Sequence, residues 1–140
     1  VNAYERLAAL KVGADDALIW EYDEWLPNIP TPLVHGGYIV MPTDDGVVVC
    51  FNATTGDQLW EHEFDEAFYA SPIAVGDLVY VMDLSGAMHI IRPGDTYEEL
   101  ATPTLGEEAV CTPAFHEGRI YLRSVEHLYC IGEGGSEASE

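Results

Sequence analysis

Displaced by 40 residues, this sequence falls onto itself. Trp20-Glu21 lands on Trp60-Glu61, Thr31-Pro32 on Ser71-Pro72, and Gly36 and Gly46 on Gly76 and Gly86. A further copy follows 41 residues on, where Thr112-Pro113 takes the place of Ser71-Pro72. The apolar blocks between these markers coincide. Tyr38-Ile39-Val40-Met41, Leu78-Val79-Tyr80-Val81-Met82 and Ile120-Tyr121-Leu122 form one set. Val47-Val48-Val49-Cys50-Phe51, Ala87-Met88-His89-Ile90-Ile91 and Leu128-Tyr129-Cys130-Ile131 form another. A repeat of this length is one supersecondary unit that cannot bury its apolar surface alone, so neighbouring units must stack.

Each unit reads as four short strands. Pro32, Pro72 and Pro113 open the first strand, where a missing N–H costs no ladder hydrogen bond. Turns at His35-Gly36-Gly37, Val75-Gly76-Asp77 and His116-Glu117-Gly118 lead into the second. Asp44-Asp45-Gly46 and Asp83-Leu84-Ser85-Gly86 turn into the third. Strands two and three are apolar almost continuously rather than alternately, so both faces must be covered. The expected fold is all-β: four-stranded antiparallel β-propeller blades, about three of them in this chain. The expected divisions are 1–22 (strands three and four of a preceding blade), 23–63 and 64–103 (two blades), 104–132 (a last blade lacking its outer strand) and 133–140 (a flexible acidic tail). Typical rings hold ~4–8 blades, so three do not close unaided. The chain is therefore expected to form part of a larger ring of about 7–8 blades, or to self-associate to complete one.

Cys50-Phe51-Asn52-Ala53-Thr54-Thr55-Gly56-Asp57-Gln58-Leu59-Trp60 resembles the signature of the PQQ-like (pyrroloquinoline-quinone-like) repeat family, small-Leu-Asp-x-x-Thr-Gly-x-x-x-Trp. Residues 9–20 are a looser copy, and 91–100 a degenerate one that lacks the Thr-Gly and the Trp. Propellers marked by Gly-His and Trp-Asp pairs have a similar period, but neither pair occurs here. The resemblance makes Trp20, Trp60, Gly56, Pro32, Pro72 and Pro113 structural repeat residues, with each tryptophan packed on a neighbouring blade. It also raises two roles known for such repeats beside scaffolding: quinone-dependent dehydrogenases and sensor domains attached to kinases.

Charge narrows the partners. There are 25 Asp+Glu against 5 Lys+Arg, a net charge of −20. Nucleic acid is excluded as a partner, because binding it rests on Lys and Arg displacing counterions from phosphates. An anionic membrane surface is disfavoured on the same ground. What remains is a solvated acidic surface, a cationic partner, or a high-salt habitat that screens the self-repulsion. No apolar run approaches the ~18 residues of a membrane span, and no signal peptide is visible.

Candidate catalytic groups are sparse. The resemblance implies that a quinone enzyme would need an axial calcium held by a carboxylate and an amide, an aspartate base and an aromatic floor. Here the amides are few and the carboxylates are scattered through turns. PQQ and calcium are thus expected only if blades upstream supply their site; no catalytic, cofactor or metal residue is assigned. The five histidines have no metal spacing, and His89 lies mid-strand, where a satisfied buried imidazole is expected. Asp44-Asp45 and Asp83 read as solvated hairpin turns. Cys50 and Cys130, repeat equivalents, are expected to be small buried hydrophobes. A Cys111–Cys130 bridge would span an intervening strand, about 9–10 Å, and is rejected. Trp25 stands outside the repeat, in the connector Glu24-Trp25-Leu26-Pro27, and is the one candidate contact aromatic, or else a plug beneath that loop.

These readings favour a non-catalytic, extracytoplasmic (periplasmic or cell-surface) scaffold for protein partners, including peptide strands added at blade edges. The resemblance points to outer-membrane assembly lipoproteins. The alternatives are a fragment of a PQQ-dependent quinoprotein dehydrogenase and a kinase-linked sensor domain.

Overall fold

The computed structural model describes residues 2–3, 5–15 and 17–132, and no helix occurs among them. Fourteen strands form four antiparallel sheets. The first holds β1 (Asn2–Ala3), β2 (Arg6–Leu10) and β3 (Leu18–Tyr22). The second holds β4 (Leu33–His35), β5 (Tyr38–Pro42), β6 (Val47–Asn52) and β7 (Gln58–Glu63). The third holds β8 (Ile73–Val75), β9 (Leu78–Met82), β10 (Met88–Ile91) and β11 (Glu99–Ala101). The last holds β12 (Ala114–His116), β13 (Arg119–Arg123) and β14 (Leu128–Gly132). The chain is thus a row of propeller blades, two complete and one partial at each end. The first sheet has one strand that the repeat spacing did not anticipate, because Asn2–Ala3 pairs with β2.

The continuous apolar strands follow from stacking. Ile39, Met41, Val47, Val49 and Phe51 face the first sheet, where Leu7, Trp20 and Tyr22 meet them. The intervening residues Val40, Val48 and Cys50, with Trp60, face Val79, Val81 and Ile91 of the third sheet. Met82 and Met88 then face Leu122 of the last sheet. Each such side chain taken fully out of water contributes roughly 1.5–3 kcal/mol, and the second and third sheets bury both faces in this way.

Polar pins recur with the repeat. Trp20 Nε1 donates to Ala53 O at 3.3 Å, and Trp60 Nε1 to Gly94 O at 3.0 Å, each reaching the next sheet's turn before its fourth strand. The backbone N–H of Thr31 donates to Ser71 Oγ, and that of Ser71 to Thr112 Oγ1, both at 2.9 Å. This explains Ser71 and Thr112 before their marker prolines: each hydroxyl receives the preceding blade's N–H.

Two glycines are required by contact as well as by φ. Gly56 (φ +78°) lies beneath the Trp20 ring, where a Cβ would come within 2.4 Å of Cγ. At Gly86 (φ +83°) a Cβ would meet Glu107 O at 2.1 Å, whereas Gly76 (φ +63°) faces open space. Gly76→Ala should therefore cost about 1–2 kcal/mol, for the left-handed conformation alone. Gly86→Ala should cost distinctly more, about 3–5 kcal/mol, because backbone must also move. Urea unfolding of the two variants checks the order.

Candidate functional site

The largest concentration of ionisable groups lies in the cleft between the second and third sheets. This opening of about 450 Å³ is lined by His62, Glu63, Phe64, Asp65, Glu66, Asp83, Ser85, His89 and Glu99. Its floor is the buried His89, carried by β10 on the face towards the second sheet. His89 Nδ1 lies 2.7 Å from Glu99 Oε1, and Nε2 lies 3.0 Å from Asp83 Oδ2. A neutral imidazole has one N–H and satisfies one carboxylate; an imidazolium donates to both. Burial alone would lower the His89 pKa, but the bonds to Asp83 and Glu99 and their charge outweigh it and hold it above the ordinary value.

Both carboxylates are fixed in turn. Asp83 Oδ1 accepts from Ser85 Oγ at 2.7 Å and from the Ala87 N–H at 3.0 Å. Glu99 accepts from Thr102 Oγ1 at 2.6 Å and from the Tyr97 hydroxyl at 3.0 Å. Burial would raise both acids, yet the hydrogen bonds leave each below its ordinary value. Phe64 and Phe68 pack edge-on against His89 at 4.5 and 5.8 Å, and Tyr97 stacks on His62 at 4.0 Å. As an imidazolium donating to both carboxylates, His89 has no lone pair free for a base or a metal ligand. The group is an ionic clasp within the third blade, on its face towards the second.

Asp83 corrects the expectation of a solvated turn: it is buried because β10 brings His89 back over it six residues later. Asp44 likewise does not stand free in solvent but accepts from Asn28, from the backbone N–H at 2.8 Å and from Nδ2 at 2.9 Å, tying the connector to the hairpin. Trp25 lies partly buried against the apolar cluster of the first cleft, and its backbone N–H donates to the Tyr22 hydroxyl at 3.2 Å. Pro72 and Pro113 are buried and Pro32 is partly so. All three cysteines are free. Cys50 is buried and its thiol pushed up to about 12, chiefly by desolvation. Cys130 is exposed, against expectation, because no sheet among the described residues covers that face of the last blade.

One cluster was not visible in the sequence. Glu107, in the connector to the last blade, accepts from the Tyr129 hydroxyl and sits 2.9 Å from His127 Nδ1. Glu126 and His127 offer further ligand atoms within 4.8 Å. The bond from Tyr129 is the main cause that holds Glu107 below its ordinary pKa. Glu107 and Tyr129 stand 22 residues apart, and only stacking joins them.

The ionic clasp makes stability depend on pH in a definite direction. His89, raised, contributes fully below its unfolded value of about 6.5, and that contribution is lost as pH rises through the folded value. Asp83 and Glu99, lowered, contribute above their ordinary values of 3.8 and 4.5, and lose that contribution as pH falls through their folded values. His89→Gln should therefore cost about 3 kcal/mol near pH ~6 by stranding two carboxylates, and progressively less towards pH ~9. Urea midpoints of both proteins across this range test the trend; a pH-independent gap would show that the ring is neutral.

Residues 4–95 match the family model described as outer membrane protein assembly factor BamB. No curated protein matches the chain. Among solved structures, a europium-containing methanol dehydrogenase superposes with a TM-score of 0.59 at 20% identity, over 71% of this chain and 21% of that one. BamB from Moraxella catarrhalis superposes with 0.53 at 18% identity, over 86% and 50%. A computationally designed protein, Ika4, superposes with 0.66 at 15% identity, over 84% and 73%. The chain thus spans about a fifth of the dehydrogenase and half of that BamB, and at these identities the likeness is one of fold. Stacked four-stranded sheets, a tryptophan pin at the repeat period and a family match over about two thirds of its length agree: the chain belongs to the BamB-type family of PQQ-like β-propeller proteins.

Proposed function

We propose that this arc of blades is a non-catalytic, extracytoplasmic scaffold that holds protein partners, with an extended strand of the partner added at the outer edge of the last blade. One observation carries the reading. In the second and third sheets the third strand is paired on its outer side, β6 by β7 and β10 by β11. Its equivalent in the last sheet, β14, pairs only with β13 among the described residues. Such an edge offers a row of unpaired N–H and C=O groups, which a peptide strand completes. Trp25 adds the part of its ring that the first cleft leaves uncovered. The charge of −20 favours a partner with a basic flank. The family description, an outer membrane protein assembly factor, supports the extracytoplasmic location.

The fold likeness to a methanol dehydrogenase favours a second reading, a fragment of a quinone-dependent dehydrogenase. The residues described here do not fit a quinone and its calcium: the acidic cleft has no amide lining it, and Asp83 and Glu99 are engaged by His89.

A synthetic peptide copying the Gln58–Glu63 strand serves as the probe. Added in excess to the full chain, it should slow amide exchange at Leu128–Gly132 by at least tenfold while leaving β6 unchanged. Unaltered exchange at β14 would overturn strand addition. A quinone chromophore retained through gel filtration with calcium would overturn the non-catalytic reading.

A further inference from the structure

The loops that enter the blades repeat one apolar residue on their outer side. Ile29, Tyr69 and Val110 each stand three residues before a marker proline, 40 and then 41 residues apart. Their chain neighbours Pro30, Phe68, Ala70 and Ala109 are buried, and this alternation turns the three outward, 50%, 41% and 43% exposed. The links from Thr31 to Ser71 and from Ser71 to Thr112 hold adjacent loops side by side, and so hold the three in a row. Tyr69 is the middle member, with described blades on both sides, so its exposure owes nothing to either end of the chain. Its hydroxyl has no partner among the described residues. A tyrosine so placed, apolar over its ring and polar at its tip, is the kind of side chain that anchors protein interfaces.

The surroundings of the row are acidic. The three loops, 23–31, 64–71 and 104–112, hold no Lys or Arg. Asp23 and Glu24 precede Ile29, Asp65 and Glu66 precede Tyr69, and Glu107 and Glu108 precede Val110. The side chains of Asp65, Glu66 and Glu108 are exposed and make no hydrogen bond or ion pair among the described residues. Arg123 reaches the far end of the row, donating to Cys111 Sγ at 3.6 Å beside Val110, so the uncompensated charge lies over the loops of Ile29 and Tyr69.

We propose that this row docks an amphipathic helix of a protein partner, its apolar stripe on Ile29, Tyr69 and Val110 and its Lys or Arg on the neighbouring carboxylates. The row lies in loops outside the strands, which offer no strand edge to an extended segment. A helix satisfies its own backbone and needs only side chains to meet it. The complementary charge sets its orientation, with the basic flank over Asp65 and Glu66. This site rests on reading the chain as a scaffold for protein partners, but puts the partner on the loop face rather than on the edge of β14.

A synthetic amphipathic helix of Leu and Lys is the probe, beside a scrambled peptide of the same composition and charge. Fluorescence anisotropy should show the amphipathic peptide binding the full chain about tenfold more tightly than the scrambled one. Tyr69→Ser and Ile29→Ser, at side chains already exposed, should each weaken it about tenfold with an unchanged circular dichroism spectrum. Leu100→Ser, 43% exposed on β11, should leave the affinity unchanged. Asp65→Asn combined with Glu66→Gln should weaken binding and flatten its salt dependence. The hydrogen-bonded amides of Phe68 and Ser71 should exchange more slowly with the peptide bound, and those of Leu128–Gly132 should not. Equal binding of the scrambled peptide, full affinity in Tyr69→Ser, or protection at Leu128–Gly132 instead would each overturn the helix site. The strand peptide at β14 is read separately: if it still protects that edge, loss of the helix site leaves the scaffold reading standing, and loss of both removes it.

Discussion

Everything in this structure depends on sheets that cannot keep either face in water. The central strands of the second blade are apolar at nearly every residue, and the two sets of side chains that alternate along them point into different clefts. A blade is therefore stable only in company. Its folding unit is the cleft, half of which belongs to each neighbour, rather than the sheet. The polar contacts obey the same constraint: the tryptophan pins, the Ser/Thr links and the ionic clasp all run from one blade towards another or close over a shared cleft.

The repeat was legible because stacking imposes the same demand every 40 residues, and residues under the same demand converge on the same types. Strand order, the marker glycines and the role of Trp20 and Trp60 could all be read from it. What the repeat does not determine is what a unit does where it departs from its neighbours. Glu99 and Tyr97 belong to the degenerate third copy, which lacks the Thr-Gly and the Trp, and there a different chemistry fills the cleft. Asp83 looked like one more solvated turn because its burial is caused by residues from strands on either side. Cys130 misled for the converse reason: its repeat equivalent is buried by a neighbouring sheet, and no sheet among the described residues covers Cys130.

The ionic clasp also shows how an acidic protein manages its interior. Two carboxylates enter a cleft rimmed by Glu63, Asp65 and Glu66, surroundings that alone would favour their protonation. The His89 ring between them offsets the repulsion when it is protonated, and the hydroxyls of Ser85, Thr102 and Tyr97 take up other lone pairs. Lysine would meet the charge requirement with a longer, more hydrated stem; the flat ring packs edge-on against Phe64 and Phe68.

The tryptophan pin has a consequence for how such chains change over time. Its acceptor is a main-chain carbonyl, supplied by Ala53 in one cleft and Gly94 in the next, within loops of unrelated sequence. A joint whose acceptor is backbone places few demands on the side chains of the incoming unit, the bare Gly56 beneath the Trp20 ring being one of them. Units can be duplicated, deleted or shuffled by recombination and still latch at the new boundary, so the number of units in a lineage is free to drift while the joint persists.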